Sequence, residues 1–416
     1  MHAKSKYKEL FLLSFICIII FSFNILLEYL KFIEFKENKH VYYENLSVLQ
    51  SYTKTNAKGR TYRVLKLQGD DFSFYTTTNI KNDFKRFQSI NLRAINTKIT
   101  FLDYLSKNLY MPSYNLKLSD DNILPRNKII TYFLNQHTNE KIIEFYGALF
   151  FALPISLELR TDVNYYGIAH LIAISGYHIS LIFSLFFLAF SPIYSFFQKR
   201  YFPYRNARLD LSMIVFVFLF FYAYLIGFVP SYIRSLVMAL WVFYLLAKDV
   251  KIINFVNLFF SVLICVALFP QLLFSVGFLF SVMGVFFIFL YVHHFYLYSN
   301  HTLSIVLLNI WTFFAMIIPV LCYFPLISFQ QLLSLPLIVV FTFFYPLVLF
   351  LHIFNIGDLL DNILLLFFDF KIYATNLKLP LWVLLGYIFL SLVSIRYKYI
   401  AIICVALNLF PFFVLI

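Results

Sequence analysis

Beyond Glu144 the chain is built from apolar runs of about 20 residues, the length a helix needs to cross the hydrocarbon of a bilayer, separated by a few short charged loops. With 62% hydrophobic and only 13% charged residues, an ordinary soluble domain is excluded. The sequence predicts a polytopic α-helical membrane protein. Its four cysteines, Cys17, Cys265, Cys322 and Cys404, all lie in apolar runs and form no CxxC metal or redox pattern.

Charge acts as a ruler for the spans. Lys4, Lys6 and Lys8 precede an apolar stretch from about Leu10 to Leu27 with no small-residue cleavage site after it, which predicts an uncleaved first span over 1–30 with a cytoplasmic N-terminus. Further spans are expected at 168–190, 210–228, 230–247, 252–269, 272–291, 303–322, 332–351, 381–395 and 400–416. The loop from Lys199 to Arg208, the turn bracketed by Lys248 and Lys251, and the pair Arg396 and Lys398 should all be cytoplasmic. The first two fit a chain that enters from outside at 168. The third requires something further between 352 and 380, where Asp358, Asp361, Asp369 and Lys371 interrupt the apolar pattern; crossing, re-entry and an interfacial path are all open there.

One polar segment, Lys31–Glu144, separates the first span from the rest. Thr61–Gln68 and Phe72–Thr78 flank Gly69-Asp70-Asp71 in the pattern of a β-hairpin, Ser89–Ile95 alternates apolar and polar residues, and Lys98–Leu102 offers a fourth strand. So small a β-rich domain, taken as 31–110 on the extracytoplasmic side, is expected to be a small barrel, because closure removes exposed edges. Lys54, Lys58, Arg60, Arg63 and Lys66 cluster with Tyr52, Tyr62 and Tyr75, a mixture suited to holding phosphates and stacking bases, or simply to a solvated basic face. Over 111–160 the apolar spacing turns helical, predicting amphipathic helices at the membrane ahead of a membrane domain over 161–416.

Two constellations place costly polar groups inside apolar runs. His170, Ser175, Gly176 and His178 fall together in residues 170–182, where hydrogen-bonding and helix-breaking side chains mark function. On a continuous helix the two histidines would share a face two turns apart and either line a path or be fixed by hydrogen bonds within the bundle. Gly227, Pro230, Ser231 and Arg234 form the second. Gly227 and Pro230 can interrupt a helix at this depth only against protein or water, and Arg234 beside the interruption is a candidate for holding an anion, the alternative being a side chain that snorkels to the headgroups.

The two constellations, in this order and separated by one cytoplasmic loop, resemble the paired signatures of the ComEC family of inner-membrane DNA-uptake proteins. Asn254, Asn257, Pro270 and the block Gly277-Phe-Leu-Phe-Ser281 resemble the next family motif. The resemblance implies an OB-like extracytoplasmic domain after the first span and a bacterial inner-membrane channel that admits one DNA strand to the cytoplasm. In that reading Arg234, His170, His178, Ser175, Gly176, Ser231 and Ser281 line the path, while Gly227, Pro230 and Gly277 break or closely pack helices. Single-stranded DNA and membrane lipid are the implied partners, with an extracytoplasmic DNA receptor and a cytoplasmic translocase or strand-binding protein, since no P-loop pattern occurs. The apolar surface leaves both lipid contact and a subunit contact in a homo-oligomer open. Three departures stand out. The family's GFQLSF block lacks its glutamine here, leaving Gln271 as a nearby substitute; the paired extracytoplasmic cysteines of some members are missing; and no HxHxDH-type metal cluster follows, so no nuclease activity, no metal and no cofactor are expected.

Two rival readings belong to other classes. A transporter of small molecules or lipid-linked substrates accounts for Arg234 and the broken helices equally well in physical terms. A rhomboid-like intramembrane serine protease is suggested by Ser175-Gly176 beside a histidine, but the motif lacks the first glycine of GxSG and no later span supplies a convincing base, His293 and His294 falling in a loop and His352 far downstream.

Overall fold

The computed structural model describes residues 2–56, 59–69, 72–78, 84, 86–107, 109–119, 125–248, 253–296 and 300–415. Lys58, the Asp70-Asp71 turn and Lys251 lie outside these residues. The chain divides into two compact units, one comprising Met1–Asn135, Leu153–Ser156 and Leu263–Ser275, the other Gln136–Ala152, Leu157–Val262 and Val276–Ile416.

In the first unit, helix α1 (His2–Glu37) continues past the expected end of the span at residue 30. The reason is packing: Phe32 and Phe35 in its last turns lie against the core of the β domain, and the Asn96 amide donates to the Phe35 carbonyl. Within the span, Asn24 donates to the carbonyl of Ala267 at 2.7 Å, so a polar side chain at membrane depth has its partner inside the protein.

Six strands follow: β1 (His40–Thr55), β2 (Thr61–Gln68), β3 (Ser73–Thr78), β4 (Ser89–Ile95), β5 (Leu109–Tyr110) and β6 (Ser113–Leu118), in the sheet order β5-β3-β2-β1-β4-β6. The alternation that suggested β2, β3 and β4 is the alternation of burial, with Leu65, Leu67, Phe74, Ile90 and Leu92 inward. β1 escaped notice because it is irregular: its register slips between Tyr43 and Leu46 and again between Val48 and Gln50, with Asn45 at φ 53°, so no period-2 pattern survives over its 16 residues. Lys98–Leu102 is not a strand. Thr100 instead caps helix α2 (Phe101–Ser106): its Oγ1 accepts from the Asp103 N–H (3.2 Å) while Asp103 accepts from the Thr100 N–H (3.0 Å), and that bonding with Thr100 holds the Asp103 carboxyl below its ordinary range. Helix α3 (Pro125–Leu134) completes the unit.

The second unit is helical and apolar. It contains α4 (Glu140–Phe151), α5 (Leu157–Tyr165), α6 (Ala169–Ile172), α7 (Gly176–Tyr201), α8 (Ala207–Ile226), α9 (Pro230–Ala247), the larger part of α10 (Phe255–Leu268), α11 (Val276–Phe295), α12 (His301–Ala315) and α13 (Ile317–Tyr323). After these come α14 (Ser334–Ile353), α15 (Asp361–Asp369), α16 (Leu381–Val393) and α17 (Lys398–Leu407). Among the described residues of the whole chain, seven helical segments are long and apolar enough to span a membrane and three shorter apolar helices accompany them. The chain is a multi-pass membrane protein. Its largest displacement from expectation is the span placed at 168–190: Ser175 and Gly176 start that helix rather than interrupt it, and α7 runs through Pro192 to Tyr201. His293 and His294 sit in the last turn of α11, not in a loop.

Residues 352–380 hold no helix long enough to cross a membrane. Strand β7 (Leu326–Ser328) pairs antiparallel with β8 (Ala374–Asn376), so the intervening chain returns to where it left. α15 has nine residues, about 14 Å of helix, half the hydrocarbon thickness. The stretch is fastened by Gln330, whose amide donates to the Phe370 carbonyl (2.8 Å) and whose Oε1 accepts from the Ile372 N–H (3.0 Å), and by Asp162, fully buried between Lys141 and Lys371 at 2.6 Å from each.

Breaks inside the apolar bundle are repaired by side chains. Pro319 has no N–H to offer the carbonyl of Ala315, and the hydroxyl of Tyr387 donates to that carbonyl at 2.8 Å. Beside it the Ile318 N–H donates to Asn408 Oδ1 (2.7 Å), while the Asn408 amide donates to Tyr387 Oη (3.0 Å) and to the Cys404 carbonyl (2.7 Å). Tyr387→Phe keeps the shape and removes the donor. It should destabilise the protein by about 1–3 kcal/mol, read as a lowered thermal midpoint of the full chain in nanodiscs, while Tyr397→Phe at an exposed position should not.

Candidate functional site

Motif residues about 50 to 100 positions apart meet where α7, α9 and α11 begin. The chain leaves α6 at Ala173 and restarts at Ser175, whose extended backbone (φ −139°, ψ 179°) lets its Oγ accept from the Tyr177 N–H at 3.3 Å. His178, three residues on, accepts the Ser175 N–H on Nδ1 at 3.2 Å, taking the place that Glu or Gln fills in a capping box. Its ring is fully buried, edge-on to Phe341 (5.5 Å) and Tyr345 (5.1 Å), and Nε2 has no hydrogen-bond partner among the described residues.

His170 lies on a different helix. It belongs to the separate four-residue α6, is exposed, and donates from Nδ1 to the Gly167 carbonyl at 3.0 Å. The break at 173–175 removes the continuous helix on which both histidines would share a face.

α8 ends at Gly227, which caps it with φ 77°, followed by Phe228 at φ 51° with its N–H on the Ala223 carbonyl (2.8 Å). Pro230 then opens α9 at the first helical position, where its missing N–H costs nothing. The Tyr232 hydroxyl reaches back to the Leu219 carbonyl at 2.9 Å and holds α8 and α9 together. Arg234, one turn into α9, is 4% exposed and donates from Nη1 to the carbonyl of Gly277 in the first turn of α11, at 2.7 Å. On the other side of α9, Ser235 sits so close to Gly176 that a β-carbon there would be 4.0 Å from its Oγ. Ser231 and Ser281 are half-buried. The first turns of α9 are therefore met by two other helix starts, α11 at the buried guanidinium of Arg234 and α7 at Ser235, and each start carries the positive end of a helix dipole.

Ser175 Oγ lies 3.4 Å from His178 Nδ1, a base nearer than any the sequence suggested. That nitrogen already accepts the Ser175 N–H and the ring is sealed by aromatic rings, so the pair is built as a cap and not as a nucleophile with its base.

The β domain presents a second candidate surface. Tyr52, Lys54, Tyr62, Val64, Tyr75, Thr77 and Tyr110 line a groove of 550 Å³ on one face of β1, β2, β3 and β5. Lys66 stands 5.4 Å over the Tyr75 ring, and Thr77 and Tyr110 share a hydrogen bond of 3.0 Å. Alternation along β2 separates Arg63 from this group: it pairs with Thr53 and Thr78 and shares the face of Leu65 and Leu67. Arg60 precedes β2, with its N–H on Asn56 Oδ1 at 3.0 Å. Tyr110 and Thr77 were not legible as members because β5 reaches β3 from more than 30 residues away, as a parallel neighbour only two residues long.

A family model described as "Competence protein" matches residues 154–415. No curated protein and no solved structure matches the chain. The matched region contains every residue of the helix-start cluster.

Ser175→Ala removes a cap and should destabilise the start of α7 by about 1 kcal/mol, seen as faster amide exchange at residues 176–179. A serine-directed fluorophosphonate should leave the wild-type chain unlabelled; labelling at Ser175 would refute the assignment as a cap.

Proposed function

Because the chain belongs to the competence protein family, we propose that it is an inner-membrane channel through which one strand of DNA enters the cytoplasm during natural transformation. The observation that carries this reading is that the starts of α7 and α11 both meet the first turns of α9, α11 at the buried guanidinium of Arg234 and α7 at the adjacent Ser235. A strand of DNA is a polyanion, and a path for it needs positive potential that is fixed yet holds weakly, so that the strand can move on. Helix dipoles and a guanidinium anchored on the Gly277 carbonyl supply that potential without a cluster of tight ionic contacts. In this reading Gly176, Ser231 and Ser281 line the path beside Arg234, Ser175 and His178 fix the α7 start, His170 stands at its approach, and Gly227, Pro230 and Gly277 allow the backbones to come together.

Topology supports the same reading. With the N-terminus inside and residues 329–373 leaving and returning on one side, the loop 199–208, the α9–α10 connection and the Arg396–Lys398 turn all fall in the cytoplasm, as their charge requires. The helix starts of α7, α9 and α11 then face outward, toward arriving DNA. The β domain lies on that outer side. The sheet order leaves β5 and β6 at its two ends, and a reading of residues 109–118 as one kinked strand joining β3 through β5 and β4 through β6 supports an OB-like domain. Its tyrosine groove with Lys54 and Lys66 offers flat rings for bases and cations for phosphates. An extracytoplasmic receptor would deliver the DNA and a cytoplasmic translocase or strand-binding protein would draw it in.

Arg234→Gln keeps a donor for the Gly277 carbonyl and removes the charge. With membrane levels matched, cytoplasmic entry of labelled donor DNA should fall by about tenfold or more while extracytoplasmic foci persist; unchanged entry contradicts the path. Tyr75→Ala in the full chain should weaken single-stranded oligonucleotide binding by about 1–3 kcal/mol, and Arg63→Ala, on the opposite face, should change it little. Entry that survives deletion of the chain would favour the metabolite or lipid-linked transporter instead.

A further inference from the structure

Three titratable side chains that the DNA path does not use form a continuous buried chain of hydrogen bonds within the second unit. Asp361, at the start of α15, places both carboxylate oxygens 2.9 Å from Nδ1 of His137. Nε2 of His137 lies 2.9 Å from Nε2 of His352, near the end of α14, and Nδ1 of His352 lies 2.7 Å from the carbonyl of Val348. The side chain of His137 is wholly buried, His352 is wholly buried, and the Asp361 side chain is 13% exposed, so the carboxylate is the wet end of the chain.

The proton count follows from which atoms can only accept. A carbonyl accepts, so His352 carries its proton on Nδ1. Two imidazole nitrogens at hydrogen-bond distance need one proton between them, and the His137 nitrogen facing the carboxylate needs another. The chain therefore holds three protons, whereas an ionised carboxylate and two neutral imidazoles carry two. One extra proton has been taken up, which leaves the buried group neutral overall.

We propose that Asp361, His137 and His352 form a one-proton latch that holds the returning segment after α14 closed against α4 and α14. Without the extra proton one contact must fail: the lone pairs of His137 and His352 face each other at 2.9 Å, the Val348 bond is lost, or the His137 Nδ1 lone pair faces the Asp361 carboxylate at 2.9 Å. With one proton too many, two N–H groups face each other. The closed form binds one proton more than the form opened on the alkaline side, so it is favoured below that proton's pKa and lost as pH rises through it. Burial raises the Asp361 carboxyl above its ordinary range against the opposing pull of His137, in the direction that retains the proton.

The surroundings are built for this contact. From α4, Tyr146 stacks on His137 (4.5 Å between ring centres) and meets His352 edge-on (4.7 Å), its buried hydroxyl having no hydrogen-bond partner among the described residues; from the turn before α15, Asp358 adds a second negative charge near Asp361. Gln136 clamps the segment, donating to the His352 carbonyl (3.0 Å) and accepting the Gly357 N–H (2.9 Å). Gly357 sits directly on the latch: a β-carbon there would lie 2.6 Å from Gln136 Oε1 and 3.0 Å from His352 Nε2.

The latch goes beyond the DNA-entry reading, and its test reads no transport. Amide exchange of residues 354–361 is measured on the full chain in nanodiscs from about pH 5 to about pH 9, corrected for intrinsic rates. In the wild type, protection should peak within this range and fall on the alkaline side by about tenfold per pH unit, the slope for one proton. Asp361→Asn supplies the missing proton from its amide, so its alkaline limb should disappear. Gly357→Ala should be unprotected at every pH and marks the open state. Protection independent of pH in the wild type, or an alkaline loss that persists in Asp361→Asn, overturns the proposal. Should Asp361→Asn not fold, nitrogen-15 spectra of histidine-labelled wild type decide: a change in the signals of the buried His137 and His352 that accompanies the alkaline loss of protection supports the latch, and signals of this pair that do not change with pH overturn it.

Discussion

Pro319 removes an N–H from a helix surrounded by hydrocarbon, and Tyr387 and Asn408 arrive from two other helices to repair the break. That is the constraint on which the membrane unit depends: with no water at hand, each interruption of a helix must be satisfied by another part of the protein. The same rule governs the helix-start cluster. Ser175 and His178 satisfy the start of α7, Gly227 and Phe228 turn the end of α8 back on itself, and Arg234 binds a first-turn carbonyl of α11. Helices broken in this way cannot stand alone in lipid, so the breaks fix which helices must be neighbours.

What could be read from the sequence follows from which signals are local. The apolar runs announced the spans, and Pro230 to Ala247 lies where its charges and proline put it. The β2 and β4 boundaries agree with their alternation. Two local signals misled. Ser175-Gly176 was read inside a span when it begins one, since a capping residue and a helix breaker look alike without the neighbouring helices. Lys98–Leu102 alternates like a strand, but Thr100 and Asp103 stand at the spacing of a capping box, and the cap decides.

The rest was hidden because it is long-range. Nothing in the local sequence says that Arg234 meets Gly277, that Tyr110 joins the groove of Tyr52 and Tyr62, or that His137 touches His352 across more than 200 residues. For His352 the only available signal was cost, since titratable groups among apolar segments are expensive and tend to be used, and His137, in a polar stretch, carries no such signal. The return of residues 329–373 was equally unreadable, being set by a pairing of β7 with β8 only three residues long.

The central claim is that DNA passes beside the joined starts of α7, α9 and α11. It is tested most directly by placing a photoreactive side chain at Ser231 or Ser281 and irradiating competent cells during uptake of labelled DNA. The account predicts a covalent adduct with one DNA strand that appears only while uptake proceeds and is absent from a probe at lipid-exposed Phe218. Adducts at neither position in cells that take up DNA normally would contradict it.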